Sequence, residues 1–250
     1  MAILYVASEA AELKPMANML TALRKLKWPI DYAYEGIWEG RRLLLAANGA
    51  GPKLAAHVVE VAIRAMMVAE LSSSKLEAVV STGWCGALDP SFQEGQIVAA
   101  SQVIDLTTNE TFNCAKLATT DSFVAGVLVS QNRIASDAAE KQRLSSSGAV
   151  AVDMESAGVA RRALKAGLPF CCVKVVSDRA EESFPFDLNR MRTQEGRIAR
   201  GKIVAQALTH PNQLPVLFRL KRRTDQAARA LGEFLVSCRI NSEPGPSEPA

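Results

Sequence analysis

The sequence is poor in the residues that build metal centres and disulfide frameworks. Only two histidines, His57 and His210, occur in 250 residues, and no cysteine pair stands in a CxxC spacing. A zinc-type ligand set therefore cannot be assembled from its pattern, and no metal or other cofactor is expected. His57 falls on the polar face of a helical stretch with Lys53, Glu60 and Arg64, and His210 precedes a proline, so both read as solvated side chains. Five cysteines, an odd number, include the adjacent Cys171 and Cys172 inside an apolar run. No pairing framework is visible, which implies reduced thiols in a cytoplasm. No apolar run approaches the ~20 residues of a membrane span. The opening MAILYVASEAAEL lacks a basic stretch and a small-residue cleavage site, so it reads as a buried first strand and not as a signal peptide. The net charge of +3 is too small and too evenly spread to call for nucleic acid.

What the chain does have is apolar mass. At 48% hydrophobic residues it can bury one large core without a second domain. Strand and helix periodicities alternate along it. Ile3 to Ala7 is a short strand, and Glu9 to Leu26 reads as a helix with Leu13, Met16, Leu20 and Leu23 on one face. Residues 32–38 and 43–47 form a strand pair turning at Glu39-Gly40, and a helix runs from about Lys53 to Glu70. The strand Ala78 to Thr82 leads into a glycine-bearing turn, Gly83-Trp84-Cys85-Gly86, and the strand Gln96 to Ile104 follows. Shorter extended segments lie at 117–120 and 123–129, and a helix near Ser136 to Leu144 precedes residue 149. A helix is expected over Asp187 to Leu208, ended by His210-Pro211. The Pro/Ser/Glu-rich residues 242–250 are expected to be disordered. Alternation of this kind implies an α/β layer architecture around a mostly parallel sheet.

The most informative stretch is 149–180. An alternating run, Ala149 to Asp153, passes at Met154 into helical periodicity; Gly167 and Pro169 end the helix, and an apolar strand, Phe170 to Ser177, follows. Glu155 lies just past the first of these strands and Asp178 just past the second. Ligands of parallel α/β sheets bind outside the carboxyl ends of strands, so both acids would meet in one crevice. Each also has a local reading: Glu155 as an acidic residue in a helix's first turn, Asp178 as an N-cap or Asx-turn residue.

Four segments in order resemble the purine nucleoside phosphorylase/uridine phosphorylase superfamily, and within it the 5′-methylthioadenosine/S-adenosylhomocysteine nucleosidases. They are the first strand with Glu12 soon after; Asn48-Gly49-Ala50-Gly51; residues 81–88 with Gly95-Gln96-Ile97-Val98; and Val152-Asp153-Met154-Glu155-Ser156-Ala157 with Pro169-Phe170 and Val176-Ser177-Asp178. The resemblance covers about residues 1–208. It implies a three-layer α/β/α fold with a central mixed, mostly parallel sheet and added C-terminal helices. It also implies a catalytic domain over 1–209, a helical extension over 210–241, a small nucleoside substrate, no cofactor and a homo-oligomer.

The resemblance also assigns roles. Asp178 would protonate the leaving purine at N7, and Glu155 would accept hydrogen bonds from the ribose hydroxyls, with Met154 against the sugar. Glu12, in preference to Glu9, would orient or deprotonate the attacking water. Ser177 and the segment 121–124, with Phe123 stacking on the base and Val124 beside it, would form the base pocket; Phe123 also reads as an ordinary core aromatic. Gly83 and Trp84 of the second glycine turn would line the substrate site.

Phosphorolysis needs guanidinium and hydroxyl groups around a phosphate. Here Trp84 stands where the family often carries a small residue and Ala87 where it often carries Gly, and Arg24 is the nearest arginine candidate. Hydrolysis is therefore favoured. Lys174, where that branch carries arginine, and Trp84 put the methylthioadenosine substrate in doubt, leaving futalosine- or adenosylhopane-type substrates, phosphorolysis, and non-catalytic nucleoside binding as alternatives. The tail from His210-Pro211 onward is similar to the hopanoid-associated group. Its helix carries Arg219, Lys221, Arg222, Arg223 and Arg229, and could lie on an anionic membrane. Packing of the same helix on its own core or on a partner subunit is preferred.

Overall fold

The computed structural model describes residues 1–67, 75–184, 188–191, 193 and 214–240. Thirteen strands and five helices are seen among these residues: β1 Ala2–Ala7, α1 Ala10–Ala17, β2 Thr21–Lys25, β3 Tyr32–Trp38, β4 Arg41–Ala47, α2 Pro52–Met67, β5 Leu76–Ser81, β6 Trp84–Ala87, β7 Ile97–Asp105, β8 Thr111–Asn113, β9 Leu117–Ala118, β10 Val124–Ser130, α3 Ala138–Ser145, β11 Ala149–Asp153, α4 Ser156–Lys165, β12 Phe170–Asp178, α5 Leu214–Ser237 and β13 Arg239–Ile240. The helix expected over 187–208 and the tail 242–250 lie outside the described residues, apart from a short 3-10 turn at Leu188–Met191.

Eleven strands join in the order β2-β3-β4-β1-β5-β12-β6-β11-β10-β7-β8. The sheet is mixed: β4, β1, β5 and β12 run parallel, as do β11, β10 and β7, whereas β6 is antiparallel to β11. Strand β12 is long enough to pair along its length first with β5, then with β7, then with β6. Its pairing with β7 closes β12, β6, β11, β10 and β7 into a ring.

Alternation along the buried strands sorts side chains onto two faces. Leu4, Val6, Leu44, Val79 and Phe170 share one core with α2 and α4, while Ile3, Tyr5, Leu45, Val80 and Val173 share the other with α1 and α5. The architecture is thus the expected three-layer α/β/α sandwich. On α2, the buried residues Ala55, Val58, Val59, Ala62 and Met66 follow the three-and-four spacing of a helix with one apolar face. Helix α4 crosses it so closely that a Cβ on Gly158 would collide with the Pro52 carbonyl.

Two elements depart from the sequence pattern. The helix expected over 9–26 stops at Ala17, after Pro15 has removed a backbone donor from its last turns. Thr21–Lys25 instead forms an exposed edge strand on β3, with Arg24 opposite Glu35. Sheet pairing has overridden the leucine spacing there. The glycine turn at 83–86 also extends into a strand, because β6 fills the gap between β11 and β12: Gly86 is opposite both Val152 and Asp178.

The apolar face of α5 is covered. Ala227, Leu231, Phe234 and Leu235 are buried in the core shared with α1. Arg41 ties down its end, donating to the Val236 and Cys238 carbonyls at 2.6 and 3.0 Å, groups a helix C-terminus leaves unpaired. Among the described residues, no helix is long and apolar enough to cross a membrane.

Candidate active site

A cavity of about 490 Å3 opens where β6, β11 and β12 meet the loop after β1 and the side of α5. Glu12, Glu155 and Asp178 all line it, and all three are buried, with 3%, 6% and 6% of their surfaces exposed.

Asp178 ends β12. Lys141 of α3, itself wholly buried, donates to Asp178 Oδ2, and the Ser177 hydroxyl lies 2.7 Å from Oδ1. No helix begins here, so the N-cap reading falls away. Burial pushes the Asp178 carboxyl upward in pKa, with the Lys141 ammonium and the Ser177 hydroxyl opposing part of that rise. Gly86 leaves room for the carboxyl: a Cβ there would lie 3.0 Å from Oδ2.

Glu155 occupies the N-cap position of α4, yet its side chain does not cap the helix. Asp153 does so, accepting from the Ser156 backbone N–H at 3.1 Å and from its hydroxyl at 2.6 Å. Glu155 Oε1 instead accepts from the backbone N–H of Gly51 at 2.9 Å, so the first glycine turn orients it. Burial, then the neighbouring charge of Asp153, pushes its carboxyl up to about 7.

Beneath Glu155 lies Lys174, wholly buried. Its ammonium is 2.8 Å from Asp153 and donates to the Thr82 carbonyl at 2.8 Å. Burial opposes its charge, but Asp153 and Glu155 outweigh burial and hold the ammonium above its ordinary range.

Glu12 is bound by three donors: the Trp84 N–H at 2.9 Å on Oε1, and the Glu9 N–H at 2.6 Å and Ser8 hydroxyl at 2.7 Å on Oε2. Burial nonetheless raises its pKa. Gly83 has a φ of 113°, and a Cβ there would run into the Glu12 carboxylate, so this turn requires glycine for both its backbone and its space. Glu9 also lines the cavity but is only half-buried.

Met154, Ser177 and Trp84 line the cavity as expected, and Gly83 borders it through Glu12. Phe123 and Val124 do not. Phe123 is 38% exposed and meets Phe234 edge-on with ring centroids 6.1 Å apart. Val124 opens β10, level with Val98 at the amino end of the parallel strand β7. The cavity lies at the other end of β10, and there Arg133, Ile134 and Ala135 supply the wall. The strand-end rule applied to β10 would have chosen them. Arg24 is also away from the cavity, on β2 and paired with Glu35 at 3.1 Å.

Sequence reasoning missed Lys141, Phe184 and the contribution of α5. Leu220, Lys221 and Thr224 of that helix line the cavity, and the Trp84 indole N–H donates to the Thr224 carbonyl at 3.3 Å. Arg223 fastens α5 to the rim through Glu182 at 2.7 Å, Glu94 at 2.8 Å and the Ser177 carbonyl at 3.0 Å.

No curated protein matches the chain by sequence. Solved structures match its fold over nearly its whole length. A 5′-methylthioadenosine/S-adenosylhomocysteine nucleosidase from S. pneumoniae aligns with a TM-score of 0.68 at 16% identity, covering 95% of this chain and 97% of that one. The corresponding enzyme of Neisseria meningitidis gives 0.69 at 17%, over 94% and 97%. A futalosine hydrolase of Helicobacter pylori gives 0.67 at 16%, over 95% and 96%. The sequence profile of the Phosphorylase superfamily matches residues 2–115 and 108–209, which include every carboxylate of the cavity, and the chain belongs to that superfamily.

Proposed function

We propose that the protein is a purine nucleosidase that hydrolyses the N-glycosidic bond of an adenosine derivative. The observation that carries this reading is the convergence of three buried carboxylates, from three different elements, on one cavity. Cleavage breaks the bond between the ribose anomeric carbon and the base nitrogen, and its electron pair leaves with the base. Asp178, whose pKa burial raises, gives its proton to the departing purine at N7. Glu155 accepts from the ribose hydroxyls, and its charge favours the cationic sugar. A water adds to the anomeric carbon and gives up a proton to Glu12, whose raised pKa suits a base. Proton exchange with solvent then restores Asp178 and Glu12.

Water is favoured over phosphate by the cavity wall. Trp84 fills space beside Glu12 and is held there by α5. Arg133 and Lys221, the cationic side chains that line the cavity among the described residues, are paired with Glu140 and Asp225. A protein that only binds nucleosides has no use for a buried acid of raised pKa in the cavity. Adenine as the base, a catalytic domain over 1–209 with a wall-forming extension over 210–241, and a cytoplasmic location belong to the same proposal. So does self-association, supported by Leu23 and Ile37, each 40% exposed on the adjoining strands β2 and β3.

Incubation with adenosine, 5′-methylthioadenosine and S-adenosylhomocysteine, with and without phosphate, tests the reading. Free adenine and free ribose sugar at a rate independent of phosphate are expected. A rate proportional to phosphate, with a sugar 1-phosphate as product, would replace hydrolysis by phosphorolysis. Tight nucleoside binding with no adenine released would make the protein a binding module.

A further inference from the structure

Lys141 is the most unusual side chain that the reaction above leaves without a task. It projects from α3, whose sequence AAEKQRLS is mostly polar, yet Lys141 is wholly buried. A lysine without solvent must satisfy its donors inside the protein. Its Nζ has three acceptors: Asp178 Oδ2, the Arg179 carbonyl at 2.7 Å and the Glu182 carbonyl at 3.2 Å. Three acceptors match the three N–H groups of an ammonium, whereas a neutral amine has two. The ring of Phe184, a cavity residue, has its centroid 5.8 Å from Nζ and adds a favourable aromatic face. The start of α3 is itself fixed, because the Asp137 side chain accepts from the Glu140 N–H at 2.8 Å and Glu140 takes Arg133 at 2.9 Å.

The two oxygens of Asp178 are therefore unequal. Oδ2 is taken by a cation, which disfavours a proton there. Oδ1 faces the Ser177 hydroxyl, which also lies 3.1 Å from the Cys85 carbonyl. That hydroxyl can donate to an ionised Oδ1, or turn to Cys85 and accept from a protonated Oδ1. We propose that Lys141 is a positioning residue for the acid: it pins Oδ2 so that the proton delivered to the leaving base resides on Oδ1, and it receives the charge left behind when that proton departs. The inference rests on the reading of Asp178 as general acid. In the step itself, the Oδ1–H bond breaks, the proton joins the base nitrogen, and the resulting carboxylate remains paired with the Lys141 ammonium.

Other charges also reach Asp178. Glu182 opposes its ionisation and Arg223 of α5 favours it, while Cys85 of β6 is a buried neutral thiol. Lys141 is the cation in direct contact, so its removal should dominate. The test is the titration of the Asp178 carboxyl band in the infrared, assigned by its loss in Asp178→Asn, together with the pH profile of adenine release. In Lys141→Met, which keeps the buried stem and loses the charge, the band midpoint should rise by about 1 to 3 pH units. The alkaline limb of kcat/KM should move upward with it, and kcat should fall. A folded Lys141→Met with an unmoved midpoint overturns the inference. Should that variant not fold, Lys141→Arg retains the charge: its midpoint stays within about one unit of wild type if charge sets the value, and a larger shift overturns the inference. Undiminished adenine release by Asp178→Asn would instead overturn the acid role of Asp178, a different outcome, readable whatever the lysine variants do.

Discussion

Two wholly buried lysines each hold an aspartate in this protein, and they do different things. Lys174 and Asp153 lie 2.8 Å apart with neither side chain exposed. Asp153 also caps α4 through Ser156, so this pair fixes the turn from which Glu155 projects. Lys141 and Asp178 are also in direct contact, but Asp178 keeps 9% of its side chain open to the cavity. A pair sealed from solvent can only hold structure, while a pair with one open side can exchange a proton. The chemistry of the motif is set by what lies on its fourth side.

Breaking each pair should separate the two roles. Asp178→Asn is expected to lower kcat by about 100- to 10,000-fold, the range for loss of a general acid. It should cost less stability than a break in the sealed pair, because the amide oxygen still accepts from Lys141 and water reaches the other side. Steady-state adenine release and urea unfolding of the same preparation decide it. Near-normal turnover would make both pairs structural. Asp153→Asn, by contrast, removes the carboxylate in contact with the sealed Lys174 ammonium, leaving only the charge of Glu155 nearby, and should reduce the unfolding free energy by about 3–5 kcal/mol. A change in the urea midpoint too small to reach 1 kcal/mol would remove the distinction.

Glu155→Gln sits between the two. Loss of charge-assisted bonds to the ribose, about 1.5–3 kcal/mol, translates into roughly a tenfold to hundredfold fall in kcat/KM for ribosides. Loss of stability alone would reduce Glu155 to a helix-start residue.

Glu155 also sets a pH dependence whose sign is determined. Its folded pKa of about 7 lies above the ordinary value of 4.5, so the native state binds more protons than the unfolded one between those values. Stability is then fully present below about 4.5 and declines as pH rises toward 7. Riboside binding favours the ionised form and should strengthen over the same interval. Thermal melts from pH 4.5 to 7.5 should show stability declining without nucleoside and a flatter profile with saturating nucleoside, and Glu155→Gln should flatten the ligand-free profile. The smallest effect is expected from Phe123→Ala. It removes an edge-on aromatic contact of about 0.5–1.5 kcal/mol at a surface site, and adenine release should stay unchanged.

The sequence read best where one strand and its exit carried the signal. Alternation at 149–153, the glycine stop at 167 and the apolar run to 177 placed Glu155 and Asp178 at strand ends, and both line the cavity. Lys141 was illegible because nothing local marks it. A lysine in AAEKQRLS reads as solvated, and only α3 lying against the end of β12 buries it. The place of Thr224 is hidden for a similar reason, since its partner Trp84 lies far away in the chain. Phe123 and Val124 sit at the amino end of β10, and only the direction of that strand in the folded sheet shows which of its ends faces the cavity. The edge strand β2 was lost because pairing with β3, a non-local interaction, decided a segment whose spacing suited a helix.

The cavity is walled by both extremes of the described chain, Ser8 to Glu12 after the first strand and Leu220 to Thr224 in the last helix. A ligand seated there touches both, and so acts as a clasp between beginning and end. Seating of α5 and affinity for nucleoside then become one linked equilibrium. Anything that loosens Arg223 from Glu182 and Glu94 weakens binding without touching the ligand, and anything that fills the cavity slows the fraying of α1 and α5 together. Amide exchange in those two helices should therefore report occupancy as a single cooperative unit.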